Sequence, residues 1–116
     1  MNHNPLGEQG ERTAERYLRS RGYRVVARNH RSRLGEVDLI CRDGAVLVFV
    51  EVKTRSSTLF GEGAHAVGPH KQHKLRRLAE EYLIRTRQEG ADVRFDVLSI
   101  MQVAGVPTVE HIPGAF

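Results

Sequence analysis

Two apolar runs separated by little more than Asp43-Gly44 limit what this chain can fold into: Val37-Asp38-Leu39-Ile40-Cys41 and Val46-Leu47-Val48-Phe49-Val50-Glu51-Val52-Lys53. An Asp-Gly dipeptide between such runs is a strong signal for a two-residue hairpin, because both residues tolerate φ > 0. Counting outward from a turn at Asp43-Gly44, Arg42 faces Ala45, Asp38 faces Phe49 and Glu36 faces Glu51. Asp38 and Glu51 then become diagonal cross-strand neighbours about 7 Å apart. Strand alternation places Glu36, Asp38, Ile40, Leu47, Phe49, Glu51 and Lys53 on one face, and Val37, Leu39, Cys41, Val46, Val48, Val50 and Val52 on the other. The second face is wholly apolar and has to be core, so a slip of one residue would turn every buried side chain outward.

The first face is apolar near the turn and charged at its far end. Two carboxylates held within a few ångströms repel each other unless one is protonated or a cation lies between them. A divalent ion such as Mg²⁺ or Mn²⁺ resolves that conflict, since Mg²⁺ is usually held by one or two carboxylates together with water and substrate phosphate. Asp38 and Glu51 are the expected metal ligands. Lys53, two residues beyond Glu51 on the same face, is placed to orient a water or to neutralise charge on a scissile phosphate. The bland alternative is a set of cross-strand ion pairs at a wet sheet end. It accounts less well for several charges gathered at the margin of an otherwise apolar face.

An acid on one strand followed by Glu-x-Lys on the next resembles the pattern of the PD-(D/E)xK nuclease superfamily. The resemblance sharpens over longer strings: Gly10-Glu11, Ala14, Tyr17-Leu18, Gly22-Tyr23, Arg28-Asn29, Gly35 to Ile40, Phe49 to Arg55, Lys71-Gln72, Arg94 to Val97 and Ala115-Phe116. Together these look like the YraN-like family of uncharacterised bacterial proteins, over nearly the whole chain. That family is similar in fold to archaeal Holliday junction resolvases. The resemblance implies a restriction-endonuclease-like fold and an endonuclease activity. It departs in one respect, because Val37 stands where the superfamily often has Pro before its first acid. Resolvase-like relatives also carry a glutamate on the first helix near the metal, and the matching position is Glu11. Helical spacing supports this independently, since residues 11, 14 and 18 share one face. Glu15 shares that side as the alternative, and Glu11 could instead serve only the helix macrodipole.

Charge is distributed unevenly. Arg12 to Arg33 holds eight arginines, Arg28, Arg31 and Arg33 among them, against the single acid Glu15; His70 to Arg77, with Lys71 and Lys74, has no acid at all. Basic surface flanking an acidic centre would neutralise phosphates and steer a polyanion toward it, and arginine forks onto phosphate oxygens. A solvated face is the alternative. Thr54 and Arg55, directly after Lys53, are candidate phosphate contacts. The chain has no tryptophan and few aromatics, which disfavours a single-strand stacking platform.

At 116 residues, without linker, repeat or low-complexity run, residues 1–116 are expected to form one domain. No run approaches the length of a membrane span, and Met1 to Pro5 does not begin a signal peptide. A lone cysteine on the buried hairpin face is expected to act as a small hydrophobe. Together these point to a cytoplasmic protein.

Helix is expected over about 7–21, ended by Gly22, then a strand from Tyr23 to about His30, the hairpin, and a long loop from Thr54 to Pro69. A second helix follows over about 69–88 with Gly90 as its stop, then strands over about 93–102 and 107–112 joined by a turn near Ala104-Gly105. The order αβββαββ describes an α/β fold, a three-layer sandwich on a mixed sheet. His65, His70 and His73 lack the cysteine or acid spacing of a structural zinc site. Asp96 is left between a polar residue at the core edge and a group supporting the acids. The function expected is a metal-dependent endonuclease on structured or branched DNA, with a two-fold dimer if both strands of a symmetric junction are cut. The competing reading is a nucleic-acid-binding module without turnover, and RNA is a further candidate substrate.

Overall fold

The computed structural model describes residues 5–55, 67–103 and 105–116. Its elements are α1 (Pro5–Ser20), β1 (Arg24–Ser32), β2 (Gly35–Asp43), β3 (Val46–Arg55), α2 (Pro69–Arg85), β4 (Val93–Val103) and β5 (Val106–Ile112), in the expected αβββαββ order. The five strands form one mixed sheet in the order β1-β2-β3-β4-β5. β3 and β4 are parallel and every other neighbouring pair is antiparallel. A parallel pair needs a crossover connection, which the segment carrying α2 supplies. Among the described residues no helix is long and apolar enough to cross a membrane.

α1 turns a stripe of Gly10, Ala14 and Leu18 inward at intervals of four residues. Glycine at the first position is required by packing, because a Cβ on Gly10 would lie 2.0 Å from Oγ1 of Thr54 on β3. The helix ends in a Schellman arrangement: Gly22, at φ 87°, donates to the Arg19 carbonyl at 3.0 Å, and Tyr23 donates to the Leu18 carbonyl at 2.9 Å. α2 begins with Pro69, whose missing N–H costs nothing at a helix start. It stops at Arg85, short of the expected end near residue 88. The left-handed residue there is Arg87, at φ 56°, with Arg87 N–H on the Ile84 carbonyl at 3.2 Å and Gln88 N–H on the Leu83 carbonyl at 2.8 Å. The same motif thus ends both helices, once with glycine and once without.

Two buried clusters take alternate residues of β3. Val48 and Val50 join Leu39, Cys41, Leu98 and Ile100 beneath Ala14 and Leu18 of α1. Leu47 and Phe49 join Ile40, Phe95 and Val97 with Leu75, Leu78, Ala79 and Tyr82 of α2. Cys41 belongs to the first cluster, and burial pushes its thiol up to about 12, as befits a small hydrophobe.

The hairpin departs from expectation in two ways. Asp43 pairs with Val46, so the loop residues are Gly44 and Ala45, not Asp43 and Gly44. Gly44 has φ 61°, the requirement of a type II′ turn at its first loop residue. Arg42 therefore faces Leu47, and Ile40, not Asp38, faces Phe49. The expected alternation also breaks: Val37 packs with Ile40 in the α2 cluster, while Leu39 packs under α1. β3 extends to Arg55, which carries Thr54 and Arg55 out of the expected loop and into parallel pairing with Ile100 and Met101. Residues 56–66, with the rest of that expected loop, lie outside the described residues, as does Ala104 of the expected turn.

Candidate active site

The β2–β3 ladder ends just before Asp38 and Glu51. It runs from Asp43↔Val46 to Leu39↔Val50, and beyond it Asp38 turns toward Glu11 of α1 while Glu51 turns toward α2, so the single face they were expected to share is not kept. Asp38 uses its side chain there, and its Oδ2 accepts the Val52 N–H at 2.7 Å. Glu51 lies one residue before that amide and accepts Lys71 Nζ of α2 at 2.7 Å on Oε1.

The electrostatics of this corner are out of balance. Burial pushes the Asp38 carboxyl up, against the Val52 hydrogen bond, and the charges of Glu51 and Glu11 push it further, to about 7. Lys71 opposes that only weakly. An acid on β3 and one on α1 therefore act on the carboxylate that β2 carries, with one nearby lysine to offset them. Among the described residues no group of three or more His, Cys, Asp or Glu side chains could hold a metal ion. A divalent ion here would have two carboxylates, Asp38 and Glu51, and would complete its shell with water and phosphate, an inventory that suits Mg²⁺ or Mn²⁺ and not zinc. Burial first, and then the two neighbouring acids, favour the neutral form of Asp38, which a nearby cation would reverse.

Glu11 and Glu15 separate into different roles. Glu15 accepts Arg28 Nε and lies 3.5 Å from Arg19, and the Arg28 hydrogen bond chiefly holds its carboxyl below the usual range despite partial burial. Glu11, by contrast, is a charge that Asp38 feels. A pocket of about 350 Å³ between α1 and the β1–β2 pair is lined by Glu11, Arg12, Glu15, Arg28, Asn29 and Asp38, among others. Lys53, next in the strand after Val52, is partly desolvated; burial and then Arg55 lower its ammonium from the usual lysine range.

The basic candidates are spread over the surface and are partly occupied by acids. Arg31 lies 3.3 Å from Glu36, which removes Glu36 from the acid group. Arg33 and Arg55 are exposed. Lys74 is exposed on α2 and shares with Lys71 a second pocket of about 370 Å³ against the β1–β2 turn. Thr54 packs beneath Gly10 and is half-buried. His70 and His73 are exposed on α2, and His65 lies outside the described residues.

Asp96 lies in a separate group. Its side chain is fully buried and accepts Arg94 Nε at 2.8 Å, Arg94 Nη2 at 3.0 Å and the Gly114 N–H at 3.0 Å, with His111 Nε2 at 2.7 Å. Arg94 reaches on to Asp43 at 3.0 Å and donates to the Tyr23 hydroxyl. Asp96 is therefore a structural acid and not a partner of Asp38. Sequence reasoning missed Lys71 as the partner of Glu51, Arg94 and His111 as partners of Asp96, and the backbone at Asn29. An asparagine inside a run of strand formers was the available signal for the last.

Comparison with known proteins places this chain in a family. The model of the "Uncharacterised protein family UPF0102" matches residues 10–100, which include Glu11, Asp38, Glu51 and Lys53. A UPF0102 protein of Anaeromyxobacter dehalogenans is 45% identical over 111 residues, covering 96% of this chain and 83% of its own. One from Geobacter metallireducens is 43% identical over 116 residues, 100% of this chain and 95% of its own. One from Rhodococcus opacus is 48% identical over 118 residues and covers 100% of both. Aligned almost end to end with such relatives, this chain belongs to the UPF0102 family, the YraN-like family.

Proposed function

We propose that the chain is a divalent-metal-dependent endonuclease acting on structured or branched DNA, with the three-layer sandwich and restriction-endonuclease-like architecture of the PD-(D/E)xK superfamily. The observation that carries this reading is the convergence of acids from three elements at one corner: Asp38 lines a pocket with Glu11 of α1 and accepts the N–H of Val52, the residue after Glu51, and the charges of both acids bear on it. A corner in which two further acids bear on a half-buried carboxylate is costly without a cation, and folds retain such conflicts at functional sites more often than elsewhere. In this reading Asp38 and Glu51 hold Mg²⁺ or Mn²⁺, and Glu11 adds negative charge from α1. The ion would polarise the scissile phosphate and make a bound water more acidic. Lys53, two residues beyond Glu51, is the candidate to hold a proton or stabilise charge on the phosphate, and burial lowers its ammonium from the usual lysine range. Arg28, Arg31, Arg33, Arg55, Lys71, Lys74 and Thr54 are the candidate contacts to the sugar-phosphate backbone. A cytoplasmic setting, and a two-fold dimer for symmetric junctions, complete the proposal.

One observation favours the competing module reading: Glu51 already has a cation in Lys71 at 2.7 Å. A binding module has no use for Asp38, so Asp38→Ala would leave its affinity unchanged or raise it, whereas an enzyme would keep binding and lose cutting. The decisive experiment is cleavage of labelled four-way junction, flap, duplex and single-stranded DNA, with an RNA duplex as control, in Mg²⁺, Mn²⁺ or EDTA. Metal-dependent cutting lost in Glu51→Ala and Lys53→Ala is expected. Binding without cutting under every condition overturns the enzyme reading in favour of the module.

A further inference from the structure

Asn29 lies in β1 with φ 47°, a left-handed backbone in the interior of a strand. Side chains rarely adopt that conformation, and asparagine is among the few that tolerate it. Its place in the sheet is specific. The pairs Arg28↔Leu39 and His30↔Val37 flank it, so Asn29 stands across from Asp38.

Both strands change sides at this position. In a regular strand residues 28 and 30 would lean toward the same side. Arg28 instead reaches Glu15 on α1, while the His30 ring meets Tyr82 of α2 at 5.3 Å, edge to face. On β2 the partner residues do the same: Leu39 packs beneath α1, and Val37 packs with Leu75, Leu78 and Tyr82 of α2. Regular alternation would leave Asp38 beside Ile40 on the α2 side. It lines the pocket against α1, beside Glu11, and its carboxylate takes the Val52 N–H at the point where the β2–β3 ladder has ended.

We propose that Asn29 is a positioning residue for Asp38: its left-handed backbone turns the β1–β2 pair over, which takes the Asp38 carboxylate off the ladder, onto the Val52 N–H and into the pocket against α1. The geometric part stands alone; its catalytic importance rests on the endonuclease reading. Because the device is the backbone, glycine should replace asparagine here and alanine or valine should not, since only glycine adopts φ > 0 without steric cost.

The test compares wild type with Asn29→Gly, Asn29→Ala, Asn29→Val and Asp38→Asn by NMR of the backbone amides. The Val52 amide reads the Asp38 contact, and the Val48 and Ile100 amides report whether the sheet is intact. Expected is a protected Val52 amide in wild type and Asn29→Gly, exchanging roughly tenfold or more faster in Asn29→Ala while Val48 and Ile100 stay protected. If Asn29→Val does not fold, the milder alanine variant still decides. A Val52 amide unchanged in Asn29→Ala overturns the proposal, and so does equal loss in Asn29→Gly, because the side chain and not the backbone would then matter. If wild type cuts DNA, Asn29→Ala should lose about 100-fold in rate, with Asn29→Gly close to wild type. If wild type cuts nothing, the endonuclease reading fails and the Val52 exchange still decides the role of Asn29.

Discussion

Asp38 and Asp96 are two acids of one sheet, both withdrawn from water, and their carboxyls move in opposite directions. Burial is the largest influence on each and raises both. Asp96 overcomes it with Arg94, His111 and the Gly114 amide, and its carboxyl ends below the usual range. Asp38 has one backbone amide and faces Glu51 and Glu11, and it ends near 7. Desolvation therefore does not decide the direction. The partners do: the acid met by cationic and amide donors falls below the usual range, and the acid met by other acids rises above it.

The largest test of that contrast is Asp96→Ala. It leaves Arg94 and His111 facing an empty site and should cost about 3 to 5 kcal/mol in denaturant unfolding, as losing one partner of a buried ion pair does. Asp38→Asn should act with the opposite sign. A carboxyl whose folded value is raised contributes stability that is present below its unfolded value, near 4, and is lost as pH rises through about 7. The neutral isostere keeps that stability. The Tm of Asp38→Asn should match wild type near pH 4 and exceed it increasingly toward pH 8, by roughly 2 to 4 kcal/mol in stability. Equal stability at pH 8 would break the comparison. The depressed Asp96 works the other way: its stability is present above the unfolded value and is lost as pH falls through the folded one.

Removing one donor from the satisfied acid gives a smaller effect. His111→Phe keeps an aromatic ring against Tyr17 and Tyr23 but takes a partner from Asp96, and should cost about 1 to 3 kcal/mol. The smallest effect is expected for Lys71→Met, which loses a half-exposed ion pair to Glu51 worth under about 1 kcal/mol. Its useful readout is local. Lys71 lowers the Asp38 carboxyl, so its loss should move the Asp38 titration, followed by carboxyl NMR, upward from about 7.

The element order and the inward face of α1 were legible in the sequence, because apolar periodicity and turn residues act locally, whereas the face that Asp38 and Glu51 were expected to share was not kept, since Asp38 lines the pocket against α1 and Glu51 reaches Lys71 of α2. Each error has a local cause as well. Asp43-Gly44-Ala45 admits two placements of a two-residue turn, and the II′ requirement at Gly44 selects the later one. Gly90 drew the end of α2 past Arg87, which took the left-handed position itself. Period-two counting placed Val37 with Leu39, and no rule of alternation anticipates a left-handed residue on the neighbouring strand. The fit of Gly10 against Thr54 and the partners of Asp96 are long-range facts, and neither leaves a pattern along the chain.

The parallel seam between β3 and β4 divides the molecule in time. β1, β2 and β3 pair through neighbouring segments, so loop closure costs them little entropy. β4 can dock on β3 only after α2 has crossed over, and contacts of such long sequence separation form slowly. Asp38 and Glu51 can therefore come together early in folding, while Asp96 waits for partners that include the amide of Gly114. Mutations around Asp96 are expected to speed unfolding more than they slow folding.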